Sequence, residues 1–350
     1  MQFPESSAKV GLPSWRDGRG MAIEGRPGAS TCSPSLAPTL AYVAGTGHTG
    51  STLLSMVLNT HPLIVSIGEM RAPAQEAPSE RRCSWGSRMS ECPFYLEIAR
   101  RLRREGVEFD PLDWNLEYRM ARSRLDDSIF TRLLNRLTFG PLHSATLESI
   151  REAAWMLYPS RQRRLRQLDH EIERFVLTAL DLRGARVLVD ANKHPIRIDY
   201  LRGLKNLRLK VLHLVRDPRA FAHSVMAKGV RKKGAGALAM AWCRCQVGVE
   251  RYLAKCPPGT GMLVRYESLC TEPEKTLAEI GEFLGVGPIA LPGNYRGVEH
   301  HIMGNHMRLP SDERRHIQPD ERWKRGMAAK DVKATALIAG FLARKYGYEI

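Results

Sequence analysis

Apolar and polar positions along the chain fall into two regimes. Short, mostly apolar runs have strand length: Leu40 to Ala44, Leu63 to Ile67, Arg186 to Val189, Lys210 to Val215 and Met262 to Arg265. Between them the apolar residues recur three and four apart, the period of a helix with one buried face. A helix starts at Leu53-Leu54-Ser55-Met56 directly behind the first run. Ile196, Ile198 and Leu201 follow the third run, Phe221 and Val225 the fourth, and Leu277, Ile280, Phe283 and Leu284 the fifth. A last helix from Lys330 carries Leu337, Ile338, Phe341 and Leu342 and should close the chain by ordinary packing. Strands alternating with helices predict an α/β fold with a central parallel sheet and right-handed crossovers. From Arg71 to about Arg183 the pattern is helical, with Leu133, Leu134 and Leu137 near Phe130, and Ile172, Phe175, Val176 and Leu180 at helical spacing. Residues 71–183 therefore read as a helical insertion. Its Trp155, Met156 and Tyr158 are core or cap residues on one reading and part of an acceptor-pocket wall on the other.

The stretch joining the first strand to the first helix is Gly45-Thr46-Gly47-His48-Thr49-Gly50-Ser51-Thr52. G-x-x-x-x-G followed by two small hydroxyl residues is the spacing of a P-loop, whose backbone N–H groups cradle phosphate at a helix N-terminus. Ser51 stands where a nucleotide triphosphatase has the lysine that reaches the β- and γ-phosphates. The fold expected for residues 38–350 is thus a P-loop-like three-layer α/β/α domain. In such sheets ligands bind at the carboxyl ends of the strands. Glu69 follows the second strand there, Lys193 the third and Arg216 the fourth. Arg216 with Ser224, eight residues on along the next helix, makes a phosphate clamp, because guanidinium grips phosphate oxygens two at a time. The alternative for Arg216 is an ion pair with Asp217 or Asp190. Thr271 and Glu274 have the spacing of a capping box.

Composition narrows the ligand. Lys and Arg number 53 against 37 Asp and Glu, a net charge of +16, which favours an anionic ligand or surface. Nucleic acid is not expected, since aromatic residues are few and no nucleic-acid-binding signature appears. The basic runs, Arg81-Arg82, Arg100 to Arg104, Arg161 to Arg166 and Arg231 to Lys233, read as solvated faces. No apolar stretch approaches the length of a membrane span. The seven cysteines show no paired C-x-x-C metal spacing, and their odd count in a long chain points to reduced thiols in a cytoplasm. Cys83 and Cys92 read as two packed or exposed thiols. His300, His301 and His306 crowd one polar loop with no glutamate at a helical i+3 or i+4 position to complete a known site, so no metal is expected. Residues 1–37, rich in Pro, Gly and Ser, read as disordered, with neither a signal peptide nor a transit helix, and Met21 is an alternative start.

Taken together, GTGHTGSTLL, the strand ending in Gly68-Glu69, DANKHP, VRDPRAFAHS, VRYESL and GNHMR resemble the sulfotransferases that use 3′-phosphoadenosine 5′-phosphosulfate (PAPS), particularly bacterial members and the protein-tyrosine sulfotransferases. The resemblance runs from about Leu40 to the end and is loose between Arg71 and Arg183. It implies PAPS as co-substrate and a carbohydrate, lipid, small molecule or peptidyl tyrosine as hydroxyl acceptor. It implies that Thr46, Gly47, His48, Thr49, Gly50, Ser51 and Thr52 line the 5′-phosphosulfate. Arg216 and Ser224 would hold the 3′-phosphate, with Tyr266, Gly304, Asn305 and Arg308 near the nucleotide. Glu69 would be the base and Lys193 the neutralising cation. His48 replaces the usual Arg or Lys of the loop and would donate to the leaving oxygen. PAPS has no β- or γ-phosphate, which accounts for Ser51, and the reaction needs no magnesium. A P-loop kinase and a non-catalytic polyanion-binding module are the alternatives.

Overall fold

The computed structural model describes residues 37–70, 80–114, 116–118, 145–157, 159–229, 233–299, 301–304, 306–309 and 316–350. The disorder expected before residue 37 lies outside the described residues. So do Phe130, Leu133, Leu134, Leu137, Tyr158, Arg231, His300 and Asn305.

The described chain runs β1 (Thr39–Gly45), α1 (Ser51–Leu58), β2 (Ile64–Gly68), α2 (Pro93–Arg104), α3 (Ala145–Met156), α4 (Pro159–Arg183), β3 (Val187–Lys193), α5 (Arg197–Leu201), β4 (Arg208–Val215) and α6 (Pro218–Ala227). It continues with α7 (Ala235–Leu253), β5 (Gly261–Arg265), α8 (Tyr266–Thr271), α9 (Pro273–Leu284), α10 (Trp323–Gly326) and α11 (Ala329–Lys345). The five strands form one sheet in the order β2-β3-β1-β4-β5, and every pairing is parallel. Parallel sheets need crossovers that cover both faces. β1 shows the result: all its residues are buried. Leu40, Tyr42 and Ala44 pack with α2, α4 and α5, whereas Ala41 and Val43 pack with α1, α8 and α9. A third apolar cluster joins α6, α7 and α11. The three-layer α/β/α architecture with its helical insertion follows.

Several local expectations are corrected. β3 extends through Asp190-Ala191-Asn192 to Lys193 instead of stopping at Val189, because β2 pairs with it as far as Asp190 and β1 as far as Lys193. The capping box does not form: Thr271 ends α8 and donates to Glu267 O at 3.0 Å, and α9 begins at Pro273 without a side-chain cap. On α11 the buried face is Thr335, Ala339, Gly340 and Ala343, so small residues make the close packing, while Leu337 and Phe341 are exposed. Met156 is 72% exposed and belongs to no core. Arg81 and Arg161, expected on solvated faces, are buried, Arg161 donating to Tyr200 Oη at 2.8 Å.

A buried ion pair fixes the end of the sheet nearest the candidate site. Asp190, with no exposed surface, accepts from Arg197 Nε at 2.9 Å and from the backbone N–H groups of Met70 at 3.3 Å and Asn192 at 3.1 Å. Burial pushes its carboxyl upward, against the opposing pull of the Arg197 guanidinium. Removing one member of such a pair costs about 3–5 kcal/mol because the other is left buried and unpaired. The bonds to Met70 and Asn192 hold the residues beside Glu69 and Lys193.

Candidate active site

In a parallel sheet all carboxyl ends lie along one edge, and here each strand delivers one candidate residue or segment to it. Read across the sheet order, β2 delivers Glu69, β3 Lys193, β1 the Gly45–Thr52 loop, β4 Arg216 and β5 Tyr266. The register sets the spacing: Ala44 lies opposite Lys193, and Gly45 opposite Leu214.

The loop enters α1 through Gly50, whose φ of 86° is left-handed. A Cβ at Gly50 would lie 2.5 Å from Tyr266 Cδ2, so only glycine fits between the loop and that ring. Thr49 is wholly buried and its Oγ1 donates to Thr46 O at 2.8 Å, closing the loop on itself. Ser51 is the first helical residue and is buried. Thr52 is half-buried beside it, and Gly47 faces open space. His48 has φ 63° and Lys193 φ 78°, and among the described residues these alone adopt positive φ without being glycine. Such backbone costs about 1–2 kcal/mol for an L-residue and gathers at functional sites.

Arg216 holds the other side of the loop. The chain bends after β4 because Asp217 caps α6, accepting from Arg219 N at 2.8 Å, with Pro218 in the first turn. The buried Arg216 guanidinium donates to His48 O at 2.9 Å and lies 4.5 Å from the Tyr266 ring centre. Ser224 Oγ is 3.3 Å from His48 Nδ1. Arg216 and Ser224 therefore both meet the loop at His48. The ion pair of Arg216 is with neither Asp217 nor Asp190 but with Asp320, 3.1 Å away, a partner that no motif or periodicity marks. Asp320 also accepts from Arg322, and Arg322 first, then Arg216, hold its carboxyl well below the usual range. Arg216 Nε and Thr46 Oγ1 are buried without a hydrogen-bond partner among the described residues.

On the β2 and β3 side, Lys193 Nζ donates to Glu69 Oε1 at 2.7 Å and to Ala191 O at 2.8 Å, both charged groups remaining partly accessible. Residues 301–304 lie against this pair. Met303 bridges to Gly68, and its N–H donates to Ile67 O at 2.8 Å. A Cβ added to Gly304 would be 3.5 Å from the Glu69 carboxylate. Arg308 is wholly buried and donates to Gly304 O and to Arg82 O, so it ties backbone segments together. Asn305 lies outside the described residues. Behind this segment the side chains of Cys83, Cys92 and His301 converge, all buried. A hydrogen bond between the thiols holds Cys83 down at about 4 against its burial, with help from His301, and pushes Cys92 far up.

The edge thus holds a phosphate-type loop, a buried arginine and a paired carboxylate and ammonium. No described helix is long and apolar enough to cross a membrane. No curated protein sequence matches the chain. Among solved structures, the sulfotransferase domain of the Synechococcus PCC 7002 olefin synthase is 17% identical with a TM-score of 0.48, covering 92% of this chain and 100% of that one. Sulfotransferase STF1 from Mycobacterium tuberculosis H37Rv is 20% identical with a TM-score of 0.37, covering 72% and 68%. The sulfotransferase from Alicyclobacillus acidocaldarius is 14% identical with a TM-score of 0.35, covering 87% and 97%. A family model described as the sulfotransferase family matches residues 41–288, well over half of the chain. The chain belongs to the sulfotransferase family.

Proposed function

We propose that the protein transfers the sulfuryl group of PAPS to a hydroxyl acceptor by in-line displacement. The observation that carries this reading is the pairing of a lysine-free phosphate loop with a separate buried arginine at the next strand end. A donor with one 5′-phosphosulfate and one 3′-phosphate needs two such anchors. The backbone N–H groups of the loop and the N-terminus of α1 suit the 5′-phosphate, with Thr46, Gly47, Thr49, Gly50, Ser51 and Thr52 around it. Arg216 and Ser224 suit the 3′-phosphate, and Tyr266, Gly304 and Asn305 flank the nucleotide. Arg308, buried on Gly304 O, acts by shaping that loop.

Glu69 takes the proton of the acceptor hydroxyl as the acceptor oxygen bonds to sulfur. The bond from sulfur to the bridging oxygen of the 5′-phosphate breaks, and adenosine 3′,5′-bisphosphate leaves. Lys193 now rests on Glu69. The donor's sulfuryl oxygens offer the ammonium a second anionic partner, and its shift to them releases the carboxylate as base and neutralises the developing charge. His48, held at positive φ between the loop and Ser224, donates to the bridging oxygen. The chemistry routes no step through magnesium.

The test is PAPS with a panel of carbohydrate, lipid, phenol and tyrosyl-peptide acceptors, read by mass. The gain of one sulfuryl group with at least one acceptor class is expected, independent of added magnesium. Glu69→Gln should lower the rate about 10²- to 10⁴-fold, the usual worth of a general base. An unchanged rate removes Glu69 as base. Phosphoryl gain from ATP with magnesium, and none from PAPS, overturns the reading.

A further inference from the structure

The cluster behind the Gly304 segment takes no part in the transfer chemistry, and its donor set has its own logic. We propose that Cys83, Cys92 and His301 bind a zinc ion that fastens residues 301–304 to the segment preceding α2. The three ligand atoms all lie within 4.8 Å of one another and all three residues are buried. Cys92 Sγ is 3.3 Å from His301 Nδ1. Tetrahedral zinc, with bonds of about 2.3 Å to sulfur and about 2.0–2.1 Å to nitrogen, spaces its ligand atoms by roughly 3.5–3.8 Å. Closing the cluster around an ion thus needs its ligand atoms to draw together by about 1 Å at most. Two thiolates and an imidazole are a set that zinc favours over the hard cations.

The surroundings fit a ligand role for His301. Its other nitrogen, Nε2, lies 2.8 Å from Glu299 Oε1, although the N–H is not aligned for a hydrogen bond. A carboxylate behind the imidazole is the usual outer partner of a metal-bound histidine. The Phe94 ring stacks on the imidazole at 4.5 Å and 3°, and Tyr95 Oη donates to His301 O at 2.6 Å. Ser84 Oγ accepts from Ile302 N at 2.8 Å. Cys92 is the N-cap of α2, and Cys83 opens the turn closed by Gly86 N donating to its carbonyl at 3.0 Å. The ligands therefore come from a turn, a helix N-cap and the 301–304 segment, each with hydrogen-bonded backbone. Three protein ligands are one fewer than usually close a structural site, and water takes the fourth position. Binding forms two Zn–S bonds and one Zn–N bond with both cysteines as thiolates and the imidazole neutral, any proton still on them passing to solvent, and leaves a site of zero net charge. Met303, two residues from His301, pairs with Gly68, and Gly304 borders Glu69. The ion would hold that segment in place without touching the reacting atoms.

The test uses the full chain, purified under reducing conditions without chelator, and does not depend on turnover. About one zinc per chain by elemental mass spectrometry is expected. Cobalt(II) loaded after chelator treatment should give a thiolate-to-cobalt charge-transfer band. Cys83→Ser and Cys92→Ser should each weaken zinc binding at least tenfold, while Cys256→Ser, outside the cluster, should not. Chelation should lower the melting temperature of the wild type. If the serine variants do not fold, the wild-type stoichiometry and cobalt spectrum still decide. Reduced wild-type protein that binds neither zinc nor cobalt at micromolar concentration overturns the proposal. A Cys83–Cys92 disulfide in the reduced preparation, or a full site in the folded serine variants, does the same.

Discussion

His48 and Lys193 hold left-handed backbone at two neighbouring strand ends. His tolerates that region better than most residues; Lys does not, and at Lys193 the ammonium is held by Glu69 Oε1 and by Ala191 O two residues back. On the proposed reading that backbone aims the ammonium at Glu69 before substrate arrives. A second residue-scale consequence concerns Asp320. Its carboxylate sits on Arg216, where the 3′-phosphate is proposed to bind, so the nucleotide competes with it for the guanidinium. Asp320→Asn should therefore tighten adenosine 3′,5′-bisphosphate binding by about threefold to tenfold, or less than about 1.4 kcal/mol, measured by calorimetry. Weaker or equal binding would mean that the 3′-phosphate lies elsewhere. Glu69, Lys193 and Arg216 were legible in the sequence because each ends a recognisable strand, and strand ends share an edge. Asp320 was not, because it lies 104 residues from Arg216 in a segment without periodicity. Cys83 and Cys92 stand out in the sequence as a pair of thiols, but His301 lies 209 residues beyond Cys92, so their spacing fits no short-range metal motif.

At the scale of elements, the turn from β1 into α1 is what the loop's glycines make possible, and they do so unequally. Gly50 has left-handed φ and the Tyr266 ring against it, whereas Gly47 meets nothing within 4 Å. Gly50→Ala should cost about 1–3 kcal/mol in stability and impair nucleotide binding. Gly47→Ala should leave stability within about 0.5 kcal/mol of wild type. Thermal melts of the two variants test this, and equal melting temperatures would contradict the packing described for Gly50. Strand and helix order was readable because hydrophobic period is local. Strand length was not: β3 runs on to Lys193 because β1 pairs with it that far. The unformed capping box at Thr271 has the same origin, since α8 already used that threonine. Likewise α11 packs on small residues and leaves Leu337 and Phe341 exposed, a choice set by how closely α7 approaches.

For the whole molecule, the sheet order turns a sequence of scattered residues into a line. Along the chain they come as loop, Glu69, Lys193, Arg216 and Tyr266; across the edge they come as Glu69, Lys193, loop, Arg216 and Tyr266. The Glu69–Lys193 ion pair thus falls on one side of the Gly45–Thr52 loop and Arg216 on the other. On the proposed reading, that division suits a donor with two phosphates and a single reactive end. The most direct measurement is calorimetry of the full chain with adenosine 3′,5′-bisphosphate and, separately, ATP with magnesium, on wild type and Arg216→Ala. The account predicts that the bisphosphate binds more tightly than ATP. It further predicts that Arg216→Ala loses roughly tenfold to a hundredfold in bisphosphate affinity, the scale of a charged hydrogen bond at about 1.5–3 kcal/mol. Tighter binding of ATP with magnesium, or a folded Arg216→Ala variant with undiminished bisphosphate affinity, would contradict it.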